Sequence, residues 1–213
     1  MAEIAARAAR AYPANAVEVR TLDDGRPLLI RPMIAEDAEL LQEFVRDLSV
    51  ASRYQRFQGA VRELAPAVLQ RLLDLDYRRS MAFAAIVVER GHRRMIGEAR
   101  YAPALEGSGA VDFALAVADG WQRQGIGRLL FERLLKFAER NDIGRIQGDV
   151  LHGNTAMIGL ARQFGFVPRA HPDGAGLIRV ERRLDTLPIA AWSQTATSSL
   201  QSSFPPAYTA TLP

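Results

Sequence analysis

The sequence of 213 residues contains no cysteine, and its 27 basic residues include a single lysine, Lys136. Without cysteine, the chain cannot form disulfides, thiolate metal sites, iron–sulfur clusters or an acyl-cysteine intermediate. No apolar run approaches the roughly 18 residues that a membrane span requires, which excludes a membrane protein. We therefore expect a protein that works in the cytoplasm and without thiol chemistry.

The chain also lacks a concentrated excess of charge, although its pI is near 9.7. Its 24 acidic residues leave a formal net charge of only +3, and the arginines form no long cluster. A nucleic-acid-binding surface needs such a cluster, so neither nucleic acid nor a membrane is expected as a partner. The three histidines show no metal-ligand spacing, and no metal is expected. The oligomeric state is left open.

The length fits one domain with an extension at each end. We predict an N-terminal arm at residues 1–15, a domain at 16–185 and a tail at 186–213 that is rich in Ser, Thr and Pro. The tail contains no charged residue. Because such a composition buries little apolar surface, we expect the tail to be flexible or loosely docked.

Hydrophobic periodicity predicts alternating strands and helices within the domain. Short connections between three consecutive strands predict an antiparallel meander. Asn154 is a candidate N-cap for the last helix, which Gly165 closes. The predicted elements are a hairpin at 17–30, helices at 38–48 and 66–75, strands at 81–88, 95–103 and 110–117, a helix at 126–140, a strand at 145–151, the helix after Asn154, and strands at 166–170 and 176–184.

The most informative segment runs from Trp121 to Arg128 and opens the long helix. Gly125 and Gly127 let the backbone approach a ligand and leave amides free at a helix N-terminus, which together predict an anion site. The spacing is not that of a dinucleotide fingerprint or a P-loop. Arg123 and Arg128 flank the glycines. A cation in the first turn opposes the helix dipole, so these arginines are explained by a bound phosphate or by plain solvent exposure.

The motif Gln122-x-x-Gly125-x-Gly127 resembles the signature of the GCN5-related N-acetyltransferases (GNAT). Asn154 and Gly165-Phe166 fall where that family has them, and the resemblance covers about residues 27–184. The segments 48–57, 76–77 and 111–113 are similar to the acetyltransferase domain of bacterial Pat-type protein lysine acetyltransferases. Those relatives also carry an acyl-CoA-synthetase-like region, for which this sequence has no room.

The resemblance implies an α/β (α+β) fold with a mixed, mostly antiparallel sheet, helices on both faces and a splay between the family's fourth and fifth strands. It implies acetyl-CoA as co-substrate and direct transfer of the acetyl group to an amine. The strand ending at Ala116 and Val117 is expected to pair with the pantetheine arm, with the Val117 amide polarising the thioester carbonyl. Asn154 is expected either to contact the cofactor or to act as a plain N-cap. The residues expected to hold the pyrophosphate through their amides are Arg123, Gln124, Gly125, Ile126, Gly127 and Arg128.

Asp112 is the first candidate for the base that takes the proton of the amine. Strand alternation places it in a row with Ala114 and Ala116, where burial is expected to raise its pKa. Pat-like relatives usually have glutamate at the matching position, so the shorter aspartate is expected to act through a water bridge. A solvent-exposed aspartate at a strand edge is the alternative. Glu98 and His152 are second choices.

Two further expectations concern the acceptor and the leaving group. Tyr54, Arg56 and Asp76 are candidates for the acceptor side, and the acceptor is a protein lysine or a small amine. Many family members carry a tyrosine seven residues after the asparagine to protonate the thiolate, but this chain has Ala161. A non-catalytic acyl-CoA-binding regulatory module is therefore the alternative to an enzyme.

Overall fold

A computed structural model describes residues 11–104, 109–172, 174 and 176–184. Its centre is an eight-stranded mixed sheet with the order β1-β2-β3-β4-β5-β6-β8-β7. Neighbouring strands are antiparallel except β5 and β6, which are parallel. The strands are β1 Glu18–Thr21, β2 Pro27–Pro32, β3 Met81–Glu89, β4 His92–Pro103, β5 Val111–Val117, β6 Arg145–Leu151, β7 Val167–Ala170 and β8 Leu177–Arg183.

Helices cover both faces of the sheet. Consecutive residues of β3 and β4 are buried, which requires packing on either side of the centre of the sheet. Helices α1 and α4 both contact β4, and α2 contacts β5. The helices are α1 Ala38–Asp47, α2 Val50–Phe57, α3 Pro66–Leu73, α4 Ile126–Arg140 and α5 Thr155–Gln163, with 3-10 turns at Ala14–Ala16, Ala35–Asp37 and Asp119–Trp121.

The predicted fold class, hairpin and antiparallel meander are confirmed, and the predicted bounds of α4 and β6 match those observed. One helix, α2, is absent from the prediction. Val50, Tyr54 and Phe57 of α2 do recur at helical spacing, but none of them is fully buried and the rest of this short helix is mostly polar. Its N-terminus is instead fixed by Ser49, whose side chain accepts a hydrogen bond from the amide of Ser52 at 3.1 Å.

The sheet opens between β5 and β6, the fifth and sixth strands in chain order. These strands pair only at Val111 with Ile146 and at Asp112 with Gln147. Immediately beyond this point, the ring of Phe113 lies against Gly148, where a Cβ atom would come within 2.6 Å of the ring. The ring also packs against Phe131 and Phe166, at centroid distances of 4.8 and 5.3 Å. An aromatic side chain therefore occupies the fork at which the two strands separate.

Replacement of Gly148 with alanine is expected to destabilise the fold by about 1–3 kcal/mol, because the added methyl group overlaps the ring of Phe113. Urea denaturation measures this difference. Gly144→Ala is the matched control, since a Cβ atom at Gly144 meets nothing within 4 Å. Equal stability of the two variants would show that Phe113 does not depend on the absence of a side chain at position 148.

Parts of the predicted extensions lie outside the described residues, namely 1–10 of the arm and 186–213 of the tail. The remainder of the arm contacts the domain. The hydroxyl of Tyr12 donates to the carbonyl of Pro32 at 3.3 Å, and its ring meets that of Tyr77 edge-on. No helix among the described residues has the length and apolar character to span a membrane.

Candidate active site

A cleft of about 630 Å³ opens where β5 and β6 separate. Its walls come from α2, the second half of β5, the loop before α4, the middle of β6 and the first turns of α5. Several predicted site residues meet here. Those among its lining residues are Arg56, Asp112, Ala116, Val117, Arg123, Gly125, Gly127, Arg128 and Asn154.

The loop before α4 has the backbone geometry of an anion site. Arg123 and Gly125 have positive φ angles of 63° and 79°, which turn the chain sharply into the helix. The first helical hydrogen bond runs from the amide of Leu129 to the carbonyl of Gly125. The amides of residues 126 and 127 therefore have no helical acceptor, and the N-cap residue Gly125 has no side chain to cap them. A Cβ atom at Gly125 would meet nothing within 4 Å, so the space outside the loop is open.

Cationic side chains border this loop. Arg123 is exposed, and Arg128 donates to Oε1 of Gln163 at 3.0 Å while lying over the ring of Phe164. No acidic residue is present in the first turn of α4. Gln124 is also exposed, and its side chain donates to the carbonyl of Gly120. Positive charge and free amides therefore coincide at one end of the cleft, as an oligophosphate ligand requires.

The end of β5 presents unpaired backbone groups to the cleft. The amide of Ala118 donates to the carbonyl of Ile96, and Val117 lies opposite Gly97. Because the direction of the amides alternates along an antiparallel strand, those of Leu115 and Val117 point away from β4 and into the opening. The amide of Ala116 points toward β4 instead, so of the predicted pair only Val117 offers its amide to a ligand.

The predicted burial of Asp112 is wrong, because its side chain is exposed. Alternation along β5 was expected to bury this row of residues, but burial falls along the row from Ala116 through the half-buried Ala114 to Asp112. Asp112 lines the cleft and accepts a hydrogen bond from Nε2 of the buried Gln147 at 2.9 Å. The carboxylate is therefore exposed, but its place in the cleft agrees with the prediction.

Glu98 is held as a buried anion between two arginines. Arg56 Nε donates to its Oε1 at 2.9 Å, and Arg100 donates to its Oε2 through Nε and Nη2 at 3.0 and 2.7 Å. Burial by itself raises the pKa of Glu98, but the two guanidinium groups outweigh burial and lower the pKa to about 2. So weak a base is poorly suited to take a proton from an ammonium group, which argues against Glu98 as the catalytic base.

Replacement of Glu98 with glutamine is expected to lower the free energy of unfolding by about 3 kcal/mol, because two buried guanidinium groups lose their counterion. The lowered pKa also sets a pH dependence. The stabilisation is complete above the pKa of the unfolded chain and is lost as the pH falls through the folded value of about 2. Urea denaturation at pH 7 and pH 3 measures both effects, and the variant should lose less stability than the wild type on acidification.

The matched control for this prediction is Glu63→Gln. Glu63 pairs with Arg46 on the surface, with both side chains more than half exposed, so its removal should cost less than about 1 kcal/mol. Equal destabilisation by the two variants would contradict the role given to Glu98.

The remaining predicted residues lie elsewhere. His152 is exposed and does not line the cleft, and Tyr54 is 51% exposed on the outer side of α2. Asp76 closes a turn, where its Oδ1 accepts the amides of residues 78–80 at 2.6–2.9 Å. Asn154 lines the cleft and caps α5 by accepting the amide of Met157 at 3.1 Å, so the N-cap reading is confirmed.

Two residues that line the cleft, Gln58 and Asp149, and the hydrogen-bond partner of Asp112, Gln147, were not found from the sequence. Gln147 and Asp149 are alternate residues of β6, and Gln58 donates from the end of α2 to the carbonyl of Asp149 at 2.8 Å. The Asp149 carboxylate binds Arg179 and His171; burial raises its pKa, but these hydrogen bonds outweigh burial and lower it. The sequence signal that could have found Gln147 and Asp149 is the polar character of these alternate positions of the predicted strand.

Asp119 connects the start of α2 to the loop before α4. Its Oδ1 accepts the hydroxyls of Ser49 and Ser52 at 2.7 and 2.8 Å, and its Oδ2 accepts the amide of Ser49 at 2.9 Å. Gln122 donates to the carbonyl of Val117 at 3.0 Å and to the hydroxyl of Ser52 at 3.3 Å. The start of α2 is thereby attached to the loop that precedes α4.

Comparison with known proteins places this chain in a family. Residues 27–167 match the family model of the acetyltransferase (GNAT) domain. Acetyltransferase PA5475 of Pseudomonas aeruginosa is 41% identical over 155 residues, which cover 73% of this chain and 83% of that protein. The crystal structure of the GNAT domain of S. lividans PAT superposes with a TM-score of 0.70 at 27% identity, covering 81% of this chain and 99% of that one.

A more distant structure agrees in fold. That of yncA from Salmonella typhimurium with its cofactor acetyl-CoA has a TM-score of 0.60 at 19% identity, over 79% of this chain and 99% of that one. The GNAT and Pat-type resemblance read from the sequence is confirmed. Acetyl-CoA is the acyl donor that GNAT acetyltransferases use, and the yncA structure contains it. The chain therefore belongs to the GNAT family of acetyltransferases.

Proposed function

We propose that this N-acetyltransferase binds acetyl-CoA in the cleft between β5 and β6 and transfers the acetyl group directly to an amine bound beside it. The observation that carries the proposal is the coincidence of two features in that cleft. One is the helix N-terminus with free amides at residues 126 and 127, and the other is the strand end with a free amide at Val117. An acyl-CoA carries phosphates for the first feature and an amide-rich arm ending in a thioester for the second.

The cofactor would be held at both ends by groups of this chain. The amides of the loop and the cations of Arg123 and Arg128 suit a pyrophosphate. The amides of Leu115 and Val117 suit the pantetheine arm as an added strand, and one of them would donate to the thioester carbonyl, that of Leu115 being the nearer to Asp112 along β5. Such a donor strengthens its hydrogen bond as negative charge develops on that oxygen, which is worth about 10²- to 10³-fold in rate.

The acceptor must lose a proton before or during attack. A lysine-like amine has a pKa of about 10.4, so it is mostly protonated near neutral pH. We assign Asp112, through a bridging water, to take this proton, because its carboxylate lines the cleft and Gln147 orients it. The amine nitrogen then attacks the carbonyl carbon, the carbon–sulfur bond breaks, and the thiolate of coenzyme A leaves. Ala161 is buried in α5 and offers no acid to the thiolate.

The acceptor is a protein lysine or a small amine, reached in the cytoplasm. The exposed side chains of Val50 and Tyr54 on α2 favour contact with a partner surface. The polar groups that line the cleft favour a small molecule instead. One alternative function has a specific observation behind it. The solvent exposure of Asp112, together with Ala161, would suit a regulatory module that binds acyl-CoA without turnover.

Two measurements test the proposal. Titration with acetyl-CoA should raise the melting temperature, and no stabilisation would overturn the cofactor site. Acetyl transfer to a panel of lysine peptides and small amines then separates the enzyme from the regulatory module. Stabilisation with no transfer to any acceptor would favour the module.

A further inference from the structure

The cluster of Arg56, Glu98 and Arg100 holds more positive than negative charge at the wall of the cleft. One carboxylate faces two guanidinium groups, and the three side chains are 9%, 1% and 8% exposed. Buried charges are stable when they are paired and hydrogen-bonded. The cluster therefore lacks one counterion.

Arg100 is the arginine whose donors are used. Besides its two hydrogen bonds to Oε2 of Glu98, its Nη1 donates to the carbonyl of Leu72 at the end of α3 at 2.8 Å. Its side chain also contacts the sulfur of Met33. Arg100 is thus held within the core side of the cluster.

Arg56 is bound at one nitrogen. Its only hydrogen bond within the described residues runs from Nε to Oε1 of Glu98. Nη2 lies 2.9 Å from the same oxygen, but without the geometry of a hydrogen bond. This nitrogen is buried and has no hydrogen-bond partner in the described part of the chain. Arg56 also lines the cleft. An arginine with unused donors at the wall of a substrate cleft matches a carboxylate, which a guanidinium binds through two parallel hydrogen bonds.

The acidic groups of the cleft already have partners. The Asp149 carboxylate is engaged by Arg179 and His171, and Asp112 accepts from Gln147. The loop before α4 offers its own amides and arginines to phosphate groups, so Arg56 on α2 is not needed for them. An anion for Arg56 has to come with a substrate.

We propose that Arg56 binds a carboxylate of the acceptor, so that the enzyme prefers amines that also carry a carboxylate. The inference rests on the proposed function and adds the chemical class of the acceptor. Binding of the carboxylate neutralises the excess charge of the cluster and orients the amine relative to the thioester. Burial and the neighbouring Arg100 lower the pKa of Arg56, which agrees with an unneutralised guanidinium.

The test compares acceptors that differ only in the carboxylate. A series of ω-amino acids of increasing length and the matching carboxamides is acetylated with acetyl-CoA, and kcat/KM is corrected for the fraction of neutral amine. At least one acid should exceed its carboxamide by about 10-fold or more, the value of one charged hydrogen-bonded contact. Equal values throughout the series would overturn the proposal.

Two variants test whether Arg56 causes the preference for the acid. Arg56→Gln should abolish the preference for the acid, whereas Arg62→Gln, which removes an exposed arginine outside the cleft, should retain it. Because Arg56→Gln leaves Glu98 paired with Arg100, we expect the variant to fold, and its melting temperature checks this. Survival of the preference in folded Arg56→Gln would overturn the assignment. If the variant does not fold, the wild-type comparison of acids with carboxamides still decides whether the enzyme prefers amines that carry a carboxylate.

Two further arms separate other outcomes. A preference for succinyl-CoA over acetyl-CoA that depends on Arg56, with no difference between acids and carboxamides, would give the carboxylate to the donor and overturn the acceptor assignment. If no amine is acetylated, the proposed function fails, and the inference is then tested by binding. The acids should stabilise the coenzyme A complex more than the carboxamides do, and equal stabilisation would overturn it.

Discussion

Acetyl-CoA is expected to bind at least about 100-fold more weakly when Gly125 is replaced with valine. Gly125 has a φ of 79°, a backbone conformation that a β-branched residue adopts only under strain. Its missing side chain also leaves open the space outside the free amides of α4, where the pyrophosphate is proposed to lie. A loss of 100-fold corresponds to about 2.7 kcal/mol. Isothermal titration calorimetry with acetyl-CoA measures this loss.

Gly25→Val is the matched control. Gly25 has a φ of 83° in the turn between β1 and β2, and a Cβ atom there also meets nothing within 4 Å. The two variants therefore share the backbone strain and differ only in their distance from the cleft. We expect Gly25→Val to bind acetyl-CoA as the wild type does. Unchanged affinity in Gly125→Val would show that the pyrophosphate does not lie on this loop.

Acetyl transfer is expected to slow by about 10²- to 10⁴-fold when Asp112 is replaced with asparagine, the usual contribution of a general base. The substitution keeps the shape of the side chain and its contact with Gln147 while removing the basic oxygen. The loss should appear in kcat, with the affinity for acetyl-CoA unchanged. Raising the pH should restore part of the rate, because more of the amine is then neutral without a base.

Asp142→Asn is the control for this variant, since Asp142 is exposed after α4 and lies outside the cleft. Its activity should equal that of the wild type. Full activity in Asp112→Asn at neutral pH would remove Asp112 from the mechanism. A base would then have to be sought elsewhere in the cleft, with Asp149 the next carboxylate on its wall.

Much of the fold could be predicted because its main elements carry their own pattern. Helix α4 buries a regular stripe, and β3 is a continuous apolar run, so the bounds of both follow from local sequence. Helix α2 buries no residue completely and could not be found in this way. It is held instead by contacts from Asp119, which is 70 residues away from Ser49 along the chain.

The loop before α4 was predicted because its geometry depends on local backbone conformation. The parts of the site that depend on how distant strands pair were not predicted. Gly125 and its neighbours form the loop expected from their conformational freedom. Asp112 was expected to be buried because alternation assumes that the whole face of the strand is covered, yet this row is buried only at Ala116. Asp149 lines the cleft beyond the last paired position, where β6 diverges from β5 beside Phe113 and Gly148.

Direct transfer of the acetyl group from acetyl-CoA to the amine agrees with the absence of cysteine from the chain, which excludes an acyl-cysteine intermediate. Initial rates measured with both acetyl-CoA and the amine varied test it most directly. A ternary complex predicts reciprocal plots that intersect, and no labelled acetyl group retained on the protein after gel filtration in the absence of acceptor. Parallel plots together with a retained acetyl group would reveal an acetyl-enzyme intermediate and contradict direct attack.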